Sequence, residues 1–299
     1  MTSTEFIDGE PPILPALALP SLAIGDDEER AMSYLSGKLS HYRSVNQLKQ
    51  RYYDGEHRPR QFDIAVPPDL RDVDAVIGWP AVVVDTLEER LDFLGWGSVD
   101  GDSLGLGEIY DDNHLDIESG MVNIEALTNG MGYMTVGSGA DGEPEVLVTA
   151  EASSDCVGYY DRRSRRLTAA LSETLDESGN VELRTLYLPD TTIVYEPNGR
   201  SGLTVAYRDD HGRGRVPVVR FPNRERPSDV LGRSEITRAV RYLTDAAMRT
   251  ALGMEINREF YTAPQRYALG ADPAQFGITD DMTDAEKKAR IDAWVPDCI

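Results

Sequence analysis

The chain has 299 residues, 40% hydrophobic and 27% charged, with a formal net charge of −22. That is enough apolar material for one large domain or two modest ones, and the composition is not that of a long disordered chain. So acidic a protein does not wrap nucleic acid with its whole surface, because phosphate binding needs local Lys or Arg.

The charge is uneven. Residues 61–150 carry −17, whereas 31–60 carry +4 and 231–266 carry +2, so two short basic segments interrupt an acidic protein. The two cysteines, Cys156 and Cys298, form no C-x-x-C, and the four histidines are scattered. Neither a disulfide framework nor a zinc site is expected, and a reducing, cytoplasmic setting is the default. No apolar run reaches the length of a membrane span, and the start, MTSTEFIDGEPP, lacks the basic region of a secretory signal.

Residues 1–25 are expected to form an extended arm, because Pro11, Pro12, Pro15 and Pro20 interrupt its apolar stretch. It is either an arm lying on a neighbouring subunit or a frayed terminus. A helix follows over 26–53. Acidic residues load its first turn, and Leu35, Leu39, Tyr42, Leu48 and Tyr52 recur at helical spacing. A second helix is predicted over 80–94, opened by Pro80 and directing Leu87, Leu91 and Leu94 inward. A third runs over 112–129 and stops at Asn129-Gly130.

From 131 to 222 short β-rich runs alternate with Gly, Pro, Asn and Asp turns, which predicts an antiparallel sheet. The fold class is therefore α+β. Leu39, Leu87, Leu91, Leu127 and Val136 are the expected core where the three helices meet the sheet. After a polar connector at 223–232, the strongest helix is predicted over 234–260 with Ser234 as N-cap. Ile236, Val240, Leu243, Ala247, Ala251 and Met254 form its apolar stripe, and Arg238, Arg241, Asp245 and Arg249 the opposite one. Pro264 forbids its continuation, and a short charged helix is expected near 283–293.

Motifs for chemistry are mostly missing. There is no P-loop, no G-x-S-x-G elbow and no H-E-x-x-H. Asp100, Asp102, Gly105 and Asp111 match part of a calcium loop. However, Leu104 stands where a ligand is needed and Asp111 replaces the reaching Glu. A solvated acidic loop is the simpler reading. Carboxylates are so common here that a glycosidase-type pair could be chosen anywhere. No catalytic residue, cofactor or metal ligand is assigned.

Four stretches, in order, resemble the portal proteins of tailed bacteriophages, especially phages of actinobacteria. They are LKQRYYDGEHRP at 48–59, GWPAVVVDTLEERLDFLGW at 78–96, NHLDIESGMVNIEALTNGMGYMTVG at 113–137, and GRSEITRAVRYLTDAAMRTALGMEINREFYTAPQRYALGAD at 232–272. The last is the most specific, because a long helix runs directly into A-P-Q-R-Y.

The resemblance implies a structural, non-enzymatic subunit of a dodecameric ring at one capsid vertex, through which double-stranded DNA is packaged and ejected. After the arm at 1–25, it implies a wing domain at 26–230, a stem helix at 231–261 and a partial clip at 262–299. Arg238, Arg241, Asp245 and Arg249 would face the channel or the next subunit, and Pro264, Gln265 and Arg266 would open the clip. The family's second stem helix and crown have no counterpart in this sequence. The implied partners are other copies of the chain, the terminase large subunit, scaffolding and major capsid proteins, the head–tail adaptor, and DNA passing without sequence specificity. No membrane is involved, and the location is the virion, with host cytoplasm during assembly. The competing classes are a carboxylate- or metal-dependent hydrolase and another virion protein, capsid or adaptor.

Overall fold

The computed structural model describes residues 28–58, 75–97, 104–199, 202–262, 270 and 272–294. The expected arm at 1–25 lies outside them, as do Asp100 and Asp102. The chain divides into two compact units, Met1–Arg58 with Val76–Thr244, and Pro59–Ala75 with Asp245–Ile299.

In the first unit, helix α1 (Glu28–Tyr53) is followed by α2 (Trp79–Glu88), α3 (Leu106–Asp112) and α4 (Leu115–Asn129). Eight strands come next: β1 (Met131–Ser138), β2 (Val146–Glu151), β3 (Cys156–Asp161), β4 (Arg166–Leu175), β5 (Val181–Tyr187), β6 (Thr192–Asn198), β7 (Gly202–Asp209) and β8 (Val218–Pro222). The expected single sheet is two antiparallel sheets, a three-stranded one ordered β2-β1-β8 and a five-stranded meander ordered β3-β4-β5-β6-β7. Mixed helices and antiparallel strands make the fold α+β, as expected.

Helix α1 serves two cores. Ala31, Leu35 and Leu39, four residues apart, pack against Val157, Leu171, Leu186 and Ile193 of the five-stranded sheet. One end further, Tyr52 joins Val84 of α2, Leu127 of α4 and Ile236. A third cluster (Met131, Tyr133, Cys156, Ala170 and Val218) closes the two sheets on each other.

Polar groups reinforce this packing. The Glu173 carboxylate on β4 is only 3% exposed and lies 2.8 Å from Arg43 Nη2 of α1 and 2.7 Å from Arg184 Nε of β5. Arg43 also donates from Nε to the Ser154 carbonyl at 2.9 Å. Lys38 is half-buried and donates from Nζ to the Gly158 carbonyl at 2.6 Å, and desolvation lowers its amine to about 8. So α1 is tied to the sheet by charge-assisted contacts as well as by its leucines.

Three expectations are corrected. The helix expected over 112–129 is broken at Asn113 and His114. Asn113 donates to the Ile109 and Val146 carbonyls, each at 2.9 Å, and accepts from the Val148 N–H at 2.7 Å, while His114 turns left-handed at φ 49°. The Ala150 N–H donates to Glu118 at 2.7 Å. Side chains of the α3–α4 corner thus satisfy the free edge of β2, which protects it from stray pairing.

Second, α2 stops at Glu88, so Leu91 and Leu94 are not core: they are 47% and 92% exposed. The segment after α2 is drawn aside by Tyr110, whose hydroxyl donates to the Phe93 carbonyl at 2.8 Å and whose ring packs against Phe93 and Trp96. Of the other expected core residues, Leu39 and Leu127 are buried, and Leu87 and Val136 are half-buried. Third, the long helix α5 spans Arg238–Thr262 rather than 234–260.

In the second unit, a short 3-10 helix at Pro273–Phe276 is capped by Asp272 and closed by Gly277, and α6 spans Asp284–Trp294. The Thr283 hydroxyl and the Glu286 carboxylate cap the start of α6 reciprocally, the Thr-x-x-Glu pattern of a helix N-terminus.

Candidate functional site

The candidate site is α5 and the joint from which it leaves. After β8 the chain turns through 223–237 and returns to the end of α4. Asn223 donates its N–H to the Gly130 carbonyl at 3.0 Å and accepts from the Arg233 N–H at 2.7 Å. Glu235 donates its N–H to the Leu127 carbonyl at 2.8 Å, and the Ser234 hydroxyl donates to the Thr128 carbonyl at 2.5 Å. The Leu127 and Thr128 carbonyls at the end of α4, which no helix bond satisfies, are therefore taken by the connector entering α5.

Two glycines permit this approach. Gly130 caps α4 at φ 92°, and Gly232 sits at φ 74°. A Cβ on Gly232 would lie 2.1 Å from the Gly130 oxygen. The Ser234 oxygen also accepts from the Ile236 N–H at 3.0 Å, ahead of α5, and the helix itself is capped by the residue before it, Thr237, whose Oγ1 accepts from the Val240 N–H at 3.4 Å. The Glu235 carboxylate, almost fully covered, accepts from Asn223 Nδ2 at 2.9 Å and pairs with Arg224 at 2.5 Å.

The faces of α5 differ from the expected stripes. Its buried residues are Thr244, Met248 and Leu252, in line with Ile236 at the joint. Leu243 and Met254, expected inside, are 57% and 61% exposed, as is Tyr242. Thr244 tolerates burial because its hydroxyl donates to the Val240 carbonyl at 2.9 Å within the helix.

The four candidate residues lie on one helix at spacings of three, four and four. In the first unit Arg238 is exposed and Arg241 half-buried, and in the second Asp245 and Arg249 are half-buried. Arg241 lies near Lys49 of α1. Burial and then the Arg241 charge lower the Lys49 amine to about 8, against the opposing pull of Glu125 and Asp229. Lys49 Nζ donates to the Asn129 carbonyl at 2.9 Å. The base of α5 is thus part of a polar seam with α1 and α4, not a wholly solvated face. Sequence reasoning missed Lys49 and Gly232 here, and read Gly130 only as the stop of a helix. The only signal was an unusual pairing of a basic α1 segment with glycines that end helices. Pro264, Gln265 and Arg266, the candidate clip start, lie outside the described residues.

For chemistry the site offers structure rather than reaction. Among the described residues no group of three His, Cys, Asp or Glu stands together to hold a metal. The buried carboxylate of Glu173 is held by arginines, and the half-buried one of Glu151 by the hydroxyls of Ser172 (2.9 Å) and Thr135 (3.4 Å). Burial raises the Glu151 carboxyl and the Cys156 thiol beside it. Among the described residues no helix is long and apolar enough to cross a membrane.

The first unit is thus a two-sheet α+β body whose connector bonds the root of α5 to the end of α4. The chain belongs to the phage portal protein family: residues 33–290 match the model described as phage portal protein, SPP1 Gp6-like. It is similar to the portal protein of Mycobacterium phage D29, 32% identical over 236 residues that cover 76% of this chain and 48% of that protein. The portal protein of Mycobacterium phage L5 is also 32% identical, over 241 residues covering 77% of this chain and 49% of the relative. The chain spans about half the length of the curated relatives it matches. The family is structural.

Proposed function

We propose that this chain supplies the wing and the first stem helix of a portal subunit, in a ring at one capsid vertex through which double-stranded DNA enters and leaves. The observation that carries the reading is the family match across 33–290, which takes in both sheets, the joint and α5. The ring is a dodecamer of the virion, assembled in the host cytoplasm. It docks the terminase large subunit, scaffolding and major capsid proteins and the head–tail adaptor, and it needs no cofactor and catalyses nothing. The wing is 26–230, the stem 231–261 and the clip begins at 262, with Pro264, Gln265 and Arg266 at its start; 1–25 is the arm.

Arg238, Arg241, Asp245 and Arg249 serve the channel or the contact with the next stem. Three arginines against one aspartate give local positive charge in a protein of net charge −22. Such a patch touches phosphate transiently and is screened within about 10 Å at 0.1 M salt, whereas the acidic bulk keeps DNA from sticking.

Negative-stain microscopy of the purified protein tests the assembly: rings with a central hole support the reading, and shells or persistent monomers refute it. Replacing Arg238, Arg241 and Arg249 with Gln in the full-length protein tests the site. Arg238 is exposed and the other two are half-buried; ion pairs that solvent reaches contribute about 0–1 kcal/mol each, so the fold should survive while ring formation or packaging fails. A triple variant that assembles and packages like the parent removes these residues from the site.

A further inference from the structure

The first unit carries an apolar groove of about 610 Å³ that none of the foregoing uses. Its floor is one face of the three-stranded sheet, Met134, Val136, Val148, Val219 and Phe221. Leu91, Phe93 and Trp96 wall one side, and Leu115 and Asn123 of α4 help close the other. The wall is a built feature, since Tyr110 holds Phe93 by a hydrogen bond and Trp96 by ring packing. Leu91, Trp96 and Val219 remain exposed. Only Arg90 and Asp92 bring charge to the groove, and they cancel. A concave apolar site of this size suits a few large side chains.

The sequence contains a matching occupant. Residues 11–25, PPILPALALPSLAIG, form an uncharged run of fifteen residues in a chain with 82 charged ones. The other uncharged run of that length, 126–140, is the end of α4 with the central strand β1, the middle of the fold. Ile13, Leu14, Leu17, Leu19, Leu22 and Ile24 need covering as those residues do. The prolines favour an extended path and reduce the entropy lost when the segment is held.

We infer that residues 11–25 of one copy seat in the sheet-face groove of an adjacent copy, so that neighbouring subunits are linked by exchanged arms. Geometry favours the neighbour over the chain's own groove. Glu28 begins α1 and meets Arg208 of β7. Helix α2, which leads into the groove wall, packs on the opposite end of α1, where Tyr53 bonds Asp85 at 2.8 Å. Twenty-six helical residues span about 39 Å. Covering that distance back along its own subunit at roughly 3.3 Å per residue takes about twelve residues, which is most of the apolar run itself. The inference draws on the ring reading only for the presence of a neighbouring copy.

The test uses the full chain with Cys298→Ser. One protein carries Leu17→Cys in the arm, a second carries Val219→Cys on the groove floor, and a control carries Met121→Cys on the exposed side of α4. Mixing the first two under mild oxidation should give a disulfide-linked pair. It should form about tenfold or more faster than with the Met121 control, because a seated arm holds its thiol at millimolar effective concentration. A disulfide that forms only within a single chain carrying both cysteines, a rate equal to the control, or no disulfide overturns the inference. Sedimentation of the same samples separates it from the ring reading. Rings without the disulfide sink the arm exchange alone, linked pairs from otherwise monomeric protein sink the ring alone, and monomers without the disulfide sink both.

Discussion

Replacing Gly232 with alanine perturbs the joint of α5 at its tightest point. The residue sits at φ 74°, and an added Cβ would lie 2.1 Å from the Gly130 oxygen and 2.7 Å from the Asn223 oxygen. Holding alanine in the left-handed region costs about 1–2 kcal/mol. Displacing two backbone segments that are hydrogen-bonded to each other costs about 1–3 kcal/mol more, as overpacking does elsewhere. The expected loss is therefore about 2–5 kcal/mol, a large share of the roughly 5–15 kcal/mol that holds a domain folded. Gly179 provides the comparison: it has φ 78° and open space around its would-be Cβ, so Gly179→Ala should lose only the conformational part. Urea unfolding followed by circular dichroism reads both as midpoint shifts at constant slope. If Gly232→Ala is no more destabilising than Gly179→Ala, the close crossing of the α4 cap and the connector is not what positions α5.

Two further outcomes follow from the polar contacts of α1. Glu173→Gln removes the carboxylate that Arg43 and Arg184 share, and leaves Arg43 only its longer pairing with Asp155 at 3.3 Å. The loss should be about 2–4 kcal/mol in chemical denaturation, somewhat below a fully buried pair because both arginines are partly exposed; a loss under about 0.5 kcal/mol, the level of an ordinary surface change, would refute the network's role. Lys38 and Lys49 each fall from 10.5 to about 8 in the fold. Between those values the unfolded chain binds more protons, so stability should rise as pH climbs from about 8 toward 10.5. The rise should end above pH 10, where the tyrosines held neutral by burial, such as Tyr53 at about 12, begin to favour the unfolded chain. Lys38→Met should flatten the rise measured between pH 7.5 and 9.5, and a slope unchanged in that variant would exclude Lys38 as a source.

The parts of the fold that the sequence made legible are those governed by local period. Leu35 and Leu39 announced the inner side of α1, and the alternation of strands and turns announced the antiparallel region. What escaped depends on side chains that bond across long separations. Nothing near Asn113 shows that its amide will be engaged by β2, thirty-odd residues later, so the break between α3 and α4 was invisible. The course of the chain after α2 is likewise tied to a remote residue, Tyr110, through Phe93 and Trp96. The α5 stripe failed for a different reason. Counting apolar residues chose Leu243 and Met254 at mixed spacings of three and four, whereas the helix buries Thr244, Met248 and Leu252 at a steady spacing of four. A threonine that satisfies its own hydroxyl within the helix behaves as an apolar residue, and a composition count cannot see that.

Helix α1 has a mechanical consequence. Its first turns are embedded in the five-stranded sheet, its last turn shares a core with Ile236 at the foot of α5, and Arg43 braces the middle. The root of α5 and the outer edge of the meander are therefore joined by one unbroken line of packed side chains: from Ile236 through Tyr52, along a rod about 39 Å long, to Glu28 and its ion pair with Arg208 of β7. Such a line is the arrangement a lever needs, and strain placed at the root is expected to be read at that far sheet edge.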